Sequence, residues 1–454
     1  MCVMRKIIVG LCGLSLLCMT CPAQEKWSLD QCIDYALQNN VSIRKAEFGS
    51  QLSGLNLNTA QNSRLPSVSG SLGYTNYFGR GPSRDGTYED NNRMSASGSI
   101  SGSMAIFNGM RVKHQIKSLA AGFKAALEDL QKAKNDVILN ITAYYLQALQ
   151  YKELVRIAAS QAELSRLQVD RSRLLVDNGK MLESELLDSK ALWAQDKLNL
   201  TQNNNDLSTA LLELSQALNR KSAADFDVAE PSDDELLQDA LRSLQSYDTA
   251  VLFARVDERP EIRSASLNLQ SSRHNLRVAQ AARYPAISLS GGYSNSYYYS
   301  FVTGYDNAVF RQQLKNNGSQ YVGLNLSIPI FNGLATRNRI RASRIDIRIQ
   351  ELVLDETKMA LRKEIETALQ NAENAYQKYL SAQEACKAAS ESFRYENEKM
   401  KVGRSTMLDY NNAKTKMEKS ESDRVRAKYE VIFNCKILDF YMQEKTVGNP
   451  FSGF

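Results

Sequence analysis

The chain of 454 residues carries 56 Lys and Arg against 50 Asp and Glu, a formal charge of +6, and is 43% hydrophobic. Both signs are mixed along the whole length, which excludes the clustered basic footprint of a nucleic-acid binder. No stretch reaches the eighteen or so apolar residues that a membrane-spanning helix needs, so any place in a bilayer must come through strands.

Residues 1–23 read as an export signal, with Arg5-Lys6 as its basic start, an apolar core at 7–17 and a small-residue cleavage site at Cys21-Pro22-Ala23. The signal takes four of the seven cysteines and leaves Cys32, Cys386 and Cys435, an odd, scattered set that is no disulfide framework. It also takes two positive charges, so +6 falls to +4. Acylation at Cys18 or Cys21 is the alternative use of such a segment. Leu17 is bulky and Thr20 unusual for the position before an acylated cysteine, and the sequence leaves the lipidation state open.

After Gln24, Ser28-Leu29-Asp30-Gln31 predicts a capping box that opens a short helix ending near Asn39-Asn40, followed by a helix over about 41–63. From Pro66 the period changes to two. Val68, Leu72 and Tyr74, then Ala96, Gly98, Ile100, Gly102, Met104 and Ile106, alternate with Ser95, Ser97, Ser99, Ser101 and Ser103, which predicts a β-hairpin over 66–107 with a long polar loop. A very long helix (109–177) then ends at Asp177-Asn178-Gly179-Lys180, where glycine suits a left-handed helix end, and a return helix follows over 182–218.

This plan is repeated. Ala60-Gln61-Asn62-Ser63-Arg64-Leu65-Pro66 and its continuation to Tyr74 return 219 residues later as Ala279-Gln280-Ala281-Ala282-Arg283-Tyr284-Pro285 and its continuation to Tyr293, with eight of fifteen positions identical. Ile106-Phe107-Asn108-Gly109 matches Ile330-Phe331-Asn332-Gly333, and Gly179 matches Gly403. A period this long is a duplicated half-protein rather than a solenoid repeat. The mature chain therefore divides into a first repeat (24–219), an acidic crossover (220–257) with a capping box at Ser232-Asp233-Asp234-Glu235, a second repeat (258–446; hairpin 285–331, long helix 333–402, return helix 405–443) and a tail (447–454). At about 1.5 Å per residue each long helix would be on the order of 100 Å, and the two shorter helices of a repeat together about 90 Å, so one long helix and two shorter ones stacked end to end can run side by side.

Two hairpins with one apolar face suit a soluble sandwich or part of a membrane barrel. Two hairpins cannot close a barrel by themselves, and an open sheet edge cannot stay in lipid, so in the membrane reading the chain must oligomerise. Enzyme chemistry finds little support. His114 and His274 are far apart in sequence without a ligand cluster, and read as ordinary surface or packing residues. No phosphate-binding or dinucleotide fingerprint lies outside the signal.

Trp27-Ser28-Leu29 with Ala36-Leu37-Gln38-Asn39-Asn40, Arg259-Pro260-Glu261-Ile262, the two Ala-Gln-x-x-Arg-x-Pro entries, the two Phe-Asn-Gly exits and Val402-Gly403-x-x-Thr406-x-x-Asp409 carry a further reading. In their order and duplication the mature chain resembles, over nearly its whole length, the TolC family of outer-membrane efflux and secretion channels. The resemblance implies a mainly α fold with membrane β: a duplicated half whose long antiparallel helices build a periplasmic α-barrel, and two hairpins contributing to a 12-stranded β-barrel in a homotrimer. It also implies a passive exit duct in the outer membrane, without catalytic, metal or cofactor site, docking to a periplasmic adaptor and an inner-membrane pump of the RND or ABC type. The rival from another class is an exported helical rod with a structural or adhesive role; a soluble periplasmic adaptor would not need the hairpins with long loops.

By the same resemblance Asp409, six residues after Gly403, would face the tunnel constriction, with Glu185 at the equivalent offset from Gly179. The other reading of both acids is a solvated carboxylate stabilised at a helix N-terminus. Where the family often has a second acid, this chain has Asn412. The turns Asn178-Gly179-Lys180 and Val402-Gly403-Arg404-Ser405-Thr406 look like adaptor-docking tips, and helix capping is their simpler role.

Overall fold

The computed structural model describes residues 26–82, 85–220, 226–231, 233–246, 253–302 and 305–442. The expected export signal with Cys18 and Cys21, the side chains of the capping box at 232–235 and the tail at 447–454 lie outside the described residues. The described residues form two compact units, each drawing on both copies of the repeat: one within 26–40, 138–246 and 371–442, the other within 41–137 and 253–370.

The second unit holds the long strands. Helix α2 (Val41–Asn62) leads through Pro66 to β2 (Ser67–Tyr77), and β5 (Arg93–Asn108) returns; a small hairpin of β3 (Arg80–Pro82) and β4 (Tyr88–Asp90) sits between them. Helix α6 (Pro260–Ala281), with proline in its first turn, leads through Pro285 to β7 (Ala286–Ser300), and β8 (Ser319–Ser327) returns after the short helix α7 (Phe310–Asn316). Proline cannot continue a helix and biases the residue before it towards extended backbone, which suits the change of element at both places. The four long strands make one antiparallel sheet in the order β2-β5-β7-β8. The two hairpins are thus joined by pairing of β5 with β7, from Arg93↔Ser300 to Asn108↔Ala286, with one irregularity between Ala105 and Phe107.

The period of two becomes two different faces. On one, Ser67, Ser69 and Ser71 reach Ser103, Ser101 and Ser99 with hydroxyl separations of 3.1, 3.4 and 2.8 Å, and the rows continue onto β7 as Ser97↔Ser296, Ser99↔Ser294 and Ser103↔Ser290. On the other, Val68, Leu72, Ile100, Leu289, Val322 and Leu324 are exposed, Leu72 at 95%.

Both hairpins end in the same backbone device. Gly109 and Met110 have φ of 63° and 67°, and Gly333 and Leu334 have 61° and 64°. Two consecutive left-handed residues cannot belong to a helix, so α3 (Arg111–Asp177) and α8 (Ala335–Lys401) start two residues later than the sequence predicts. The two copies differ in surroundings. A Cβ at Gly109 would lie 2.7 Å from the Ala281 carbonyl oxygen and 2.9 Å from the Tyr284 Cβ, whereas one at Gly333 would meet nothing within 4 Å.

The first unit is helical. Ser28 and Gln31 form the expected capping box of α1 (Leu29–Asn39). Trp27 packs edge-on to Tyr35 and Phe226, Arg220 covers Trp27 and Phe226, and β1 (Lys26–Trp27) pairs in parallel with β6 (Asp227–Val228). Lys152 of α3 ties this pair down through Asp227 at 2.6 Å and the Val228 carbonyl at 2.8 Å. The core is filled by Cys32 and Ile33 of α1, Ile138, Ile141 and Leu149 of α3, Leu214 of α4 (Glu183–Ala217), Leu236 and Ala240 of α5 (Asp233–Ser246), and Val425, Ile432, Cys435 and Leu438 of α9 (Met407–Met442). Cys32, Cys386 and Cys435 are all buried and outside any disulfide, and burial pushes the Cys32 and Cys435 thiols up to about 12, against thiolate formation.

Candidate functional site

In the first unit, α3 and α4 are joined by one turn and α8 and α9 by another, and both turns close by the same hydrogen bonds. Lys180 N–H reaches the Leu175 carbonyl and Gly179 N–H the Val176 carbonyl, both at 2.8 Å; Arg404 N–H reaches Lys399 at 2.9 Å and Gly403 N–H reaches Met400 at 3.3 Å. With Gly179 at φ 67° and Gly403 at 72°, each is a Schellman closure that satisfies the last helical carbonyls. Asn178 adds a side-chain bond of 2.6 Å to the Leu174 carbonyl. Arg171 reaches the Lys401 carbonyl at 3.3 Å, so the two turns are neighbours. Asn178, Gly179, Lys180, Val402, Gly403, Arg404 and Thr406 are exposed, and Ser405 half-buried. Ser405 donates to Glu396, and this bond, with a second from Lys399, holds the Glu396 carboxyl below its ordinary range.

Asp409 sits in the first turn of α9, exposed. Thr406 donates its hydroxyl to the Asp409 carboxylate at 2.6 Å and accepts from the Asp409 N–H at 3.1 Å, so Thr406 caps the helix N-terminus and its hydroxyl proton is held by Asp409. Glu185 is half-buried in the first turn of α4, whose N-cap, Leu182, offers no side-chain bond. Asn412 is exposed, three residues beyond Asp409 on α9.

The sequence reading missed a buried ionic cluster just behind these turns. Lys414 of α9 is fully buried; its Nζ lies 2.5 Å from Asp196 of α4 and 2.5 Å from Glu418, and 2.8 Å from the Ser165 hydroxyl of α3, which itself donates to Asp196. Three helices meet at one ammonium. Burial pushes the Glu418 carboxyl up, opposed by its bond to Lys414. One stretch further along α9, buried Lys428 pairs with buried Glu153 of α3. Only half of the signal lies in the spacing, the stripe without its burial or its partners: Met407, Tyr410, Lys414 and Met417, all buried, recur at intervals of three and four, as do Val425, Lys428, Ile432 and Cys435. A lysine in an apolar stripe is a buried charge, and a buried charge needs a partner.

The histidines, expected to be unrelated, are brought together in the second unit: His114 of α3 and His274 of α6 have ring centroids 5.7 Å apart. Burial, followed by neighbouring cations, holds both below their ordinary value.

The sequence profile of the outer membrane efflux protein family matches residues 32–220 and 255–434. The chain belongs to the outer membrane efflux protein family. Among its relatives, the outer membrane efflux protein BepC of Brucella suis is 20% identical over 401 residues, spanning 87% of this chain and 81% of BepC. The outer membrane protein TolC of Salmonella enteritidis is 21% identical over 443 residues, spanning 95% and 84% of the two chains. Two solved structures share the fold: CusC, with TM-score 0.76 and 16% identity over 92% of both chains, and the Campylobacter jejuni CmeC outer membrane channel, with TM-score 0.74 and 18% identity over 92% of this chain and 87% of that one. This efflux protein therefore has the duplicated, mainly helical TolC-like fold with an attached sheet, and an outer-membrane transport function. Its family is one of channels, not of enzymes.

Proposed function

We propose that this efflux protein is the exit duct of a tripartite efflux or type I secretion assembly, a homotrimer that conducts passively while a pump of the RND or ABC type and a periplasmic adaptor supply energy and contact. The observation that carries this reading is the sheet. Its order β2-β5-β7-β8 leaves β2 and β8 as open edges, one face is rows of serine hydroxyls, and the other exposes Leu72, Val322 and Leu324. Open edges are not tolerated in lipid, so three copies joined edge to edge into twelve strands, serine rows inward and aliphatic rows towards lipid, satisfy both backbone and side chains. A helical rod of structural or adhesive role has no use for this alternation. A heat-modifiable trimer in the outer-membrane fraction, with a pore in planar bilayers, is the expected result; a water-soluble monomer overturns the reading.

The exposed turns at Asn178-Gly179-Lys180 and 402–406 supply paired tips for the adaptor, and Asp409, with Glu185 beside it in the plan of the repeat and Asn412 in place of a second acid, supplies the entrance ring. Three carboxylates converging on a threefold axis favour cations. The cap formed with Thr406 does not compete with this role, because one carboxylate can accept from Thr406 and still face water. Asp409→Ala is expected to change cation selectivity and its pH dependence in single-channel recordings. Identical selectivity would remove Asp409 from the ring.

A further inference from the structure

His114 and His274 are the only histidines in the chain, and α3 and α6 bring their rings together. The helices run antiparallel along this seam. One turn beyond His114, Ser118 bonds Ser271 at 2.9 Å and Asn275 at 2.7 Å, which sets the spacing of the two backbones. The ring centroids lie 5.7 Å apart with planes inclined at 33°, and the His114 Nδ1 is buried without a hydrogen-bond partner. A metal–imidazole bond of about 2.0–2.1 Å puts a ring centroid roughly 3.2 Å from the ion, so two imidazoles on one tetrahedral ion have centroids about 5–6 Å apart. The observed separation falls in that range.

We propose that His114 and His274 are a two-imidazole site for a borderline divalent transition-metal ion of the Zn²⁺, Ni²⁺ or Cu²⁺ type, clipping α3 to α6. Its remaining positions go to water, since among the described residues no third His, Cys, Asp or Glu completes a metal-binding group. The surrounding positive charge opposes every divalent ion, so the two nitrogen donors decide which cations bind. Lys113, Lys117 and Arg277 are the charged neighbours of His114, and Lys117 and Arg277 those of His274. Hard ions such as Mg²⁺ and Ca²⁺, which require carboxylate and carbonyl oxygens, are repelled with nothing in return, whereas ions with a strong imidazole preference gain two nitrogen bonds. Both ligands come from one chain and one unit, so the site stands whether or not the trimer and its partners are as proposed above.

The test uses the mature, tag-free protein in detergent, titrated with Cu²⁺ alone and followed by electron paramagnetic resonance, beside His114→Gln, His274→Gln and the double variant, each checked for unchanged helix content and oligomeric state. One Cu²⁺ per chain with hyperfine structure from two nitrogens is expected. Each single variant should lose at least tenfold in affinity and the double variant the whole signal, with excess Mg²⁺ leaving wild-type binding unaffected. Wild-type binding no stronger than that of the double variant would make the pair ordinary packing and overturn the proposal, as would a copper signal that survives loss of both histidines.

Discussion

At the end of α3, α4 begins after Leu182 with no side-chain cap; at the end of α8, the Thr406 hydroxyl caps α9 at the Asp409 N–H and is itself held by the Asp409 carboxylate. Behind the turns the charges are also divided unequally, α9 burying the cation Lys414 and α4 burying the anion Asp196. The glycine closures are the same in both copies because a helix end needs one left-handed residue whatever surrounds it. Duplication has preserved the backbone devices and let the side chains become complementary. Of the two return helices, α9 is the one whose start is fixed by a side-chain cap, while the Lys414–Asp196 pair ties α9 and α4 to each other.

The strongest way to break that asymmetry is at Lys414. Lys414→Ala leaves Asp196 buried without its cation and is expected to cost about 3–5 kcal/mol, read as a fall in denaturant midpoint. Replacing Lys414 by Met and Asp196 by Leu together should recover most of the loss. A Lys414→Ala protein as stable as wild type would mean that the cluster is hydrated. At the hairpin exits the copies diverge in the other direction. Gly333→Ala carries only the left-handed strain, about 1 kcal/mol, while Gly109→Ala adds a collision with the Ala281 carbonyl and should cost clearly more. Equal losses at the two glycines would show that the α6 end yields to the added methyl. A smaller effect is expected at the helix starts, where Thr406→Ala should cost about 1 kcal/mol and Leu182→Ser should gain a few tenths to 1 kcal/mol. Thermal melts of the two variants should move in opposite directions.

The smallest effect is a pH slope. Because the folded Glu418 carboxyl binds its proton more tightly than its ordinary value of 4.5 allows, the folded state takes up more protons than the unfolded one above about pH 4.5. Its contribution to stability therefore declines as pH rises through the window from that value up to the raised one. Glu418→Gln should flatten this part of the stability profile; an unchanged slope would assign it to other groups.

Much of the fold was legible because its signals are local. Ser28 and Gln31 lie three residues apart, the serine alternation from Ser95 to Ser103 is a property of one strand, and Gly179 and Gly403 punctuate helices whose ends they lie on. The two-residue delay at Met110 and Leu334 was not legible, since nothing in either side chain announces a left-handed backbone. For the candidate site, the turns and the N-terminal place of Asp409 could be read directly, but the ion cluster behind them could not. Lys414 looks like any surface lysine of a polar helix until Tyr410 and Met417, on the same stripe, are seen to be buried.

By itself, then, the amino-acid sequence determined the order of elements, the duplication and the points where helix gives way to strand, because periodicity, proline and glycine act within a few residues of themselves. Tertiary structure decided the partners. That β5 pairs with β7 and joins the hairpins, that Lys414 meets Asp196, 218 residues away, and that His114 faces His274 all depend on which helix or strand lies alongside which. That choice is made by the packing of whole elements, and no local pattern records it.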